Sequence, residues 1–234
     1  MERFGKLMFD KYRGTTFPQS LISGVGSVAS LGREIENVRD GEGPIIFFLD
    51  QFVVNEAQLD LFIGPSDGKI VVDTSSEPST DYVDFLSRKV KTEFGENNPS
   101  LFVAVGGGTT LDTAKAVSLC FTNEMPAAQL QGWDKVRKEG VKKIGVPTIS
   151  GTGAESSRTA VLTNAQTGLK LGINSDFTKF DCVILDPSFL QTVPNELFFL
   201  SAMDAYLHAG EILQGIYRNP ISDALAGAAQ QALE

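Results

Sequence analysis

The stretch Leu101–Phe121, LFVAVGGGTTLDTAKAVSLCF, decides the fold. Its first five residues, Leu101 to Val105, form an unbroken apolar run. Such a run suits a strand covered on both faces, as the strands of parallel sheets are. Gly106, Gly107 and Gly108 follow at once, and Leu111, Ala114, Val117 and Phe121 then recur at helical spacing. Backbone without Cβ atoms can approach an anion closely, and a helix N-terminus adds free amides and a positive dipole end. Thr109 and Thr110 either cap that helix or donate hydroxyls to a phosphate. The same residues also read as a tight strand-to-helix turn with no ligand. They depart from the GxGxxG fingerprint of classical dinucleotide sites.

Working outward, Ile45–Leu49 is a second buried strand, and it ends on Asp50. A carboxylate at the C-terminal end of such a strand sits at the ligand crevice and can accept from an adenosine ribose. Equally, it can cap the segment that follows. Asn55–Ile63 is expected to be a helix, Lys69–Asp73 a third strand, and Thr80–Phe94 an amphipathic helix with Tyr82, Val83, Phe85, Leu86 and Val90 on one side. Leu21–Leu31 reads as a turn and a short helix ending near Glu36; Ser23, Gly24 and Gly26 there either turn the chain or bring backbone near a ligand.

Past the central unit, Asn123–Gly140 is polar and mixed, giving loops with one short helix and Trp133 as a packing residue. Lys143–Val146 is a strand running into Pro147–Glu155, PTISGTGAE, a second small-residue loop too polar for a core. Val161–Thr163 and Lys170–Ile173 suggest a hairpin across Asn164–Gly168, and Val183–Leu185 a last strand. From Pro194 only helices are expected, Glu196–Gln214 and Ile221–Leu233. The alternation argues an α/β fold with a Rossmann-like, mainly parallel sheet, followed by an all-helical part. The expected division is a nucleotide-binding domain over 1–186 and the start of a helical domain over 187–234. A helical piece of about 48 residues could hardly bury its own core. The helical pattern also runs to the last residue without a stop signal. We therefore expect an incomplete helical domain and a chain truncated relative to something longer.

Composition bounds the function. A net charge of −9 without any Lys/Arg cluster argues against nucleic acid as a partner. No stretch of about 18 apolar residues is present, so no membrane span is expected. The opening residues MERFGKLMFDKYRG lack the apolar core of a signal peptide. Cys120 and Cys182 stand in apolar settings and read as buried free thiols, which fits a cytoplasmic location. His208 is the single histidine, so a metal site built mainly on imidazoles is impossible within these residues.

Several separate motifs then point to a family. VAVGGGTTLDTAKAVS, GVPTISGTGAES, VILDPSFLQTVPNELFFLSAMDAYLHAGE and Asp50, in that spacing, resemble the iron-containing (group III) alcohol dehydrogenases. The resemblance runs from about residue 18 to 234 and implies a nucleotide-binding α/β domain followed by a helical metal-binding domain. The stretch GWDKVRKEGVKKIGVPTISGTGAESSRTAVLTN, with LGINSDFT and TVPNE, is most similar to the 3-deoxy-manno-octulosonate 8-oxidase branch. By position, the resemblance makes Gly106, Gly107, Gly108, Thr109 and Thr110 a diphosphate loop and Ile149, Ser150, Gly151, Thr152 and Gly153 a second cofactor loop. It gives Lys170 a cofactor contact and Asp50 a preference for NAD over NADP. Asp204 and His208 match the first two of four metal ligands. Glu77 stands where many relatives have Asn, Leu207 where Thr is common, and the two further histidine ligands of relatives have no counterpart here.

Asp204 and His208 are four apart and share a helix face. A carboxylate and an imidazole suit Fe²⁺ or Zn²⁺, although such a pair also serves as an ordinary surface contact. Arg158 follows the second loop; a guanidinium can hold a substrate carboxylate, or simply lie at the surface. The expectation is an NAD- and metal-dependent oxidoreductase acting on a small alcohol or sugar acid, assembled as a homo-oligomer. The alternatives are an inactive nucleotide-binding fragment and a relative such as glycerol dehydrogenase or a dehydroquinate-synthase-like cyclase.

Overall fold

The computed structural model describes residues 16–95, 98–216 and 218–234. The opening residues read above for a leader pattern, 1–14, lie outside them. Among the described residues nine strands run in chain order: β1 (Ser20–Ser23), β2 (Ile45–Asp50), β3 (Gly68–Val72), β4 (Leu101–Gly106), β5 (Gly132–Trp133), β6 (Lys143–Pro147), β7 (Thr159–Thr163), β8 (Lys170–Asn174) and β9 (Cys182–Leu185). The α-helices are α1 (Leu31–Val38), α2 (Ala57–Asp60), α3 (Thr80–Phe94), α4 (Gly108–Asn123), α5 (Ala127–Leu130), α6 (Asn195–Gln214) and α7 (Pro220–Leu233).

Six strands form one sheet in the order β1-β9-β6-β4-β2-β3, every pair parallel. The apolar runs explain it. Ile45 to Leu49 and Leu101 to Val105 are buried along their whole length, as a sheet covered on both faces requires. Alternate residues divide between two cores. Ile46, Phe48, Phe102 and Ala104 meet Val83, Leu86 and Val90 of α3 and Leu111, Ala114 and Val117 of α4. Phe47, Leu49, Leu101, Val103 and Val105 meet Leu31 and Ile35 of α1 on the other face. The Phe48 and Phe102 rings pack 5.1 Å apart across neighbouring strands. A second sheet, β5-β8-β7, contains the expected hairpin, with Thr163 opposite Lys170.

Parallel pairing puts every carboxyl end of the main sheet at one edge. From β2 the chain moves outward to β3, then returns to β4 on the other side of β2. The strand order reverses there, so a crevice opens between the ends of β2 and β4, at Asp50 and Gly106.

Four local expectations are corrected. β1 is a strand paired with β9; it escapes notice because it is four residues long, half-buried and at an edge. Asn55–Ile63 makes only the single α-turn α2, followed by i→i+3 bonds from Phe62 to Leu59 and Ile63 to Asp60, before Gly64 and Pro65 break the run. Phe85 faces away from Val83, Leu86 and Val90 and is 55% exposed. Trp133 is 72% exposed in β5, a short edge strand, rather than packed.

Beyond Leu185 no strand follows among the described residues. Helices α6 and α7 pack on each other, and α7 opens with a capping box between Asn219 and Ser222. Much apolar surface of α6 stays open, including Phe198, Phe199, Leu200 and Leu207. No helix among the described residues is long and apolar enough to cross a membrane.

Candidate functional site

Two loops meet at the crevice. The first is the turn from β4 into α4. Gly107 is the N-cap and brings no side chain, and the helical ladder starts with the Leu111 amide donating to the Gly107 carbonyl at 3.0 Å. The amides of Gly108, Thr109 and Thr110 are thereby left without intrahelical partners. The side chain that a Cβ would meet at each glycine shows how tightly the turn is framed. At Gly106 a Cβ would lie 2.7 Å from Thr110 Oγ1 and 2.9 Å from Asp50 Cβ. Asp50, Gly106 and Thr110 therefore form one close cluster, with Asp50 buried and its Oδ1 accepting from the Phe52 amide at 3.0 Å.

The second loop, Ile149 to Gly153, lies on the first. A Cβ on Gly107 would be 3.2 Å from Ile149 Cγ2, and one on Gly108 would be 3.0 Å from Thr152 Oγ1. Ser150 and Thr152 are exposed beside them. Gly151 turns at φ +141° and presses against helix α6, where a Cβ would fall 2.3 Å from the Ser201 carbonyl oxygen. The loop thus touches the β4–α4 turn on one side and α6 on the other.

Asp204 and His208 follow Ser201 on α6. Asp204 Oδ1 and His208 Nε2 are 3.7 Å apart, and both side chains are about half exposed. Among the described residues no group of three or more His, Cys, Asp or Glu side chains comes together to complete a metal shell. The pair supplies two ligands of suitable chemistry on one helix face.

The other singled-out residues are engaged elsewhere. Lys170 pairs with Glu77 across the mouth of the loop that follows β3. The Arg158 guanidinium donates from Nη2 to Asp134 Oδ1 at 2.6 Å, and its Nε lies 3.3 Å from Asp176. Gly24 to Val28 form a turn held by Asp186, whose carboxylate accepts from the Gly26 and Val28 amides at 3.0 Å each and from Ser188. Burial opposes the charge of Asp186, yet the hydrogen bonds from Val28, Ser188 and Gly26 hold its pKa below the usual carboxylate range.

The crevice fits a phosphate-bearing ligand. Thr110 is fully buried at the start of α4, and its Oγ1 has no hydrogen-bond partner. Thr74 Oγ1, just beyond β3 at the same edge of the sheet, is also buried and unpartnered. The open amides at the start of α4, beside glycines that bring no side chain, are what a bound anion would satisfy.

A profile of the family described as iron-containing alcohol dehydrogenase matches residues 18–187. The chain belongs to that family. It is 30% identical over 210 residues to a sulfoacetaldehyde reductase of Bilophila wadsworthia, covering 88% of this chain and 53% of the relative. It is 27% identical over 221 residues to an NAD-dependent methanol dehydrogenase of Bacillus methanolicus, covering 89% and 55%. The fold matches a crystal structure of sulfoacetaldehyde reductase from Bifidobacterium kashiwanohense in complex with NAD⁺, with a TM-score of 0.83, 24% identity, and coverage of 95% of this chain and 59% of that one. The chain spans about half the length of the curated relatives it matches.

Reading the sequence for site residues missed one pair that the family member buries. Asp112 and Lys115 sit in α4, which is buried on almost every side from Thr110 to Cys120. Two charges three apart in a helix otherwise uncharged were the available signal. Burial raises the Asp112 pKa and lowers that of Lys115, in each case against the pull of the other's charge.

Proposed function

We propose that the chain carries the NAD-binding part of an alcohol dehydrogenase site and the first ligands of its divalent metal. In this reading residues up to Asp186 are the nucleotide-binding unit. The observation that carries it is the stacking of two glycine loops at the reversal point of the parallel sheet, with Asp50 against Gly106. The amides of Gly107 to Thr110 would face the diphosphate. Asp50 accepts from the adenosine ribose hydroxyls and repels a 2′-phosphate. Asp204 and His208 hold Fe²⁺ or Zn²⁺, which when bound polarises and acidifies the substrate hydroxyl. The α6 helix carries that pair within two turns of Ser201, whose carbonyl the Gly151 loop touches. Bound NAD⁺ would supply the acceptor for the hydride of the alcohol carbon, the hydroxyl proton leaving to solvent.

The substrate class is a small alcohol or the matching aldehyde. The octulosonate resemblance suggests a sugar acid, with Arg158 as the group that holds the carboxylate. Asp134 and Asp176 already occupy that guanidinium, so we assign Arg158 to bracing β5 against the turn after β8. We further read the open apolar residues of α6 as the basis of self-association, measurable by light scattering.

Titration of the chain with NADH, followed by nicotinamide fluorescence or calorimetry, tests the cofactor reading. Gly107→Val places a branched side chain where the diphosphate lies, and binding should be lost while far-UV circular dichroism is retained. Unchanged affinity in a folded Gly107→Val chain would remove the assignment.

A further inference from the structure

The buried pair in α4 does more than fill the core. Lys115 Nζ donates to Asp112 Oδ1 at 3.2 Å, to the Ala154 carbonyl at 2.7 Å, to Ser157 Oγ at 3.2 Å and to the Thr159 carbonyl. An ammonium has three hydrogens, so four acceptors share them fully. The second Asp112 oxygen accepts from the Val161 amide at 2.9 Å. Phe180 closes the site, its ring centroid 5.8 Å from Nζ. Ala154 is the residue directly after Gly153, and Ser157 and Thr159 lead from the loop into β7. The loop's own hydrogen bonds are local: Ser156 and Ser157 amides to the Gly153 carbonyl at 3.1 Å, and the Ala154 amide to Thr152 Oγ1. Lys115 reaches it from a helix 39 residues earlier.

An apolar side chain of similar length would fill this space without the cost of burying a charge. What it would not do is fix three acceptors of the loop exit at set positions. We propose that Lys115, oriented by Asp112, is a positioning residue for the cofactor: it ties the exit of the second glycine loop to the helix whose N-terminus faces the diphosphate. Both loops then present their polar groups at a constant separation, and the ligand does not have to order the second one. This inference rests on the NAD reading above.

The test uses the whole chain and three measurements: hydrogen exchange at the Ala154, Ser156 and Ser157 amides without ligand, NADH affinity, and thermal stability. Lys115→Met should speed exchange at those amides. If it leaves the loop ordered about a tenth of the time, NADH affinity falls about tenfold. The double variant Lys115→Met/Asp112→Leu removes the orphaned charge and should recover thermal stability without recovering affinity. A core ion pair with no positioning role would recover both together, and that result would overturn the proposal. So would unchanged loop exchange in Lys115→Met. Should Lys115→Met not fold, Ser157→Ala removes one loop-side partner without stranding a charge. Faster exchange with weaker NADH binding is expected there, and no change in either would count against the tie. Gly107→Val separates the two readings. If it leaves NADH binding intact, the cofactor assignment fails. If it abolishes binding while Lys115→Met leaves the loop amides protected, the tie alone fails.

Discussion

Gly151→Ala puts the contact between the second loop and helix α6 to a direct test. Gly151 has φ +141°, and a Cβ there would stand 2.3 Å from the Ser201 carbonyl oxygen and 2.8 Å from its carbon. Both atoms are backbone, so no rotamer change relieves the overlap. Holding alanine at a positive φ costs about 1–3 kcal/mol. Forcing packed backbone apart costs about 1–3 kcal/mol more. The sum is about 2–6 kcal/mol. Gly153→Ala is the control: its φ is +64°, and the nearest outside atom to its Cβ would be Ser156 Oγ at 4.0 Å. Only the conformational cost of about 1–2 kcal/mol applies there. Urea unfolding of both variants measures the difference. Gly151→Ala should lose at least about 1 kcal/mol more than Gly153→Ala, since the overpacking cost alone begins near that value. Hydrogen exchange should rise around Ser201 only in Gly151→Ala. Equal losses in the two variants, with no change in exchange at Ser201, would mean that α6 does not rest on the loop.

Asp50→Gly should narrow or reverse the preference for NADH over NADPH, changing the ratio of the two dissociation constants by roughly tenfold or more; equal binding of both by the parent chain would count against Asp50 as the ribose acceptor. Lys143 is buried, and burial pulls its pKa down to about 8 from the ordinary 10.5. The unfolded chain therefore binds more protons between those two values, and stability should rise as pH increases from about 8 toward 10.5. Lys143→Met should flatten that rise, so the variant-minus-parent difference from urea unfolding at pH 7 and pH 9.5 is the quantity to compare; a difference that does not move with pH would show the amine to be solvated. Two half-exposed ligands do not make a tight catalytic site, which usually takes three from the protein. Metal analysis after dialysis should find Fe²⁺ and Zn²⁺ lost from the 234-residue chain, and stoichiometric retention would show that further ligands are recruited.

Local chemistry was legible in the sequence where one element could be read by itself. The runs 45–49 and 101–105 are short, unbroken and bounded by turn residues, which suits a doubly covered strand. The Asn164 to Gly168 turn fixes the hairpin between β7 and β8. Asp50 and Gly106 could be singled out one at a time, because each ends a buried strand. Their contact follows from register, with Leu49 opposite Val105, which no local pattern reports. β1 carries too little apolar area to register, since an edge strand buries only alternate residues. The Lys115 tie and the Gly151–Ser201 approach are tertiary. Each joins segments tens of residues apart and ends largely on main-chain carbonyls of the far segment, which leave no mark on residue type there.

The edge strand β1 has a consequence for how the chain assembles. It pairs with β9, and the turn after it is locked by Asp186, 160 positions later than Gly26. Closing so long a loop carries an entropic cost before any contact repays it, and folding slows as such distant pairings accumulate. During synthesis residues 20–23 have no strand partner until Cys182–Leu185 have emerged. Until then β6, the neighbour of β9, presents an unpaired parallel edge. A nascent chain arrested before Cys182 would therefore display an open sheet edge and an idle amino-terminal segment, a combination that invites pairing with a neighbouring copy.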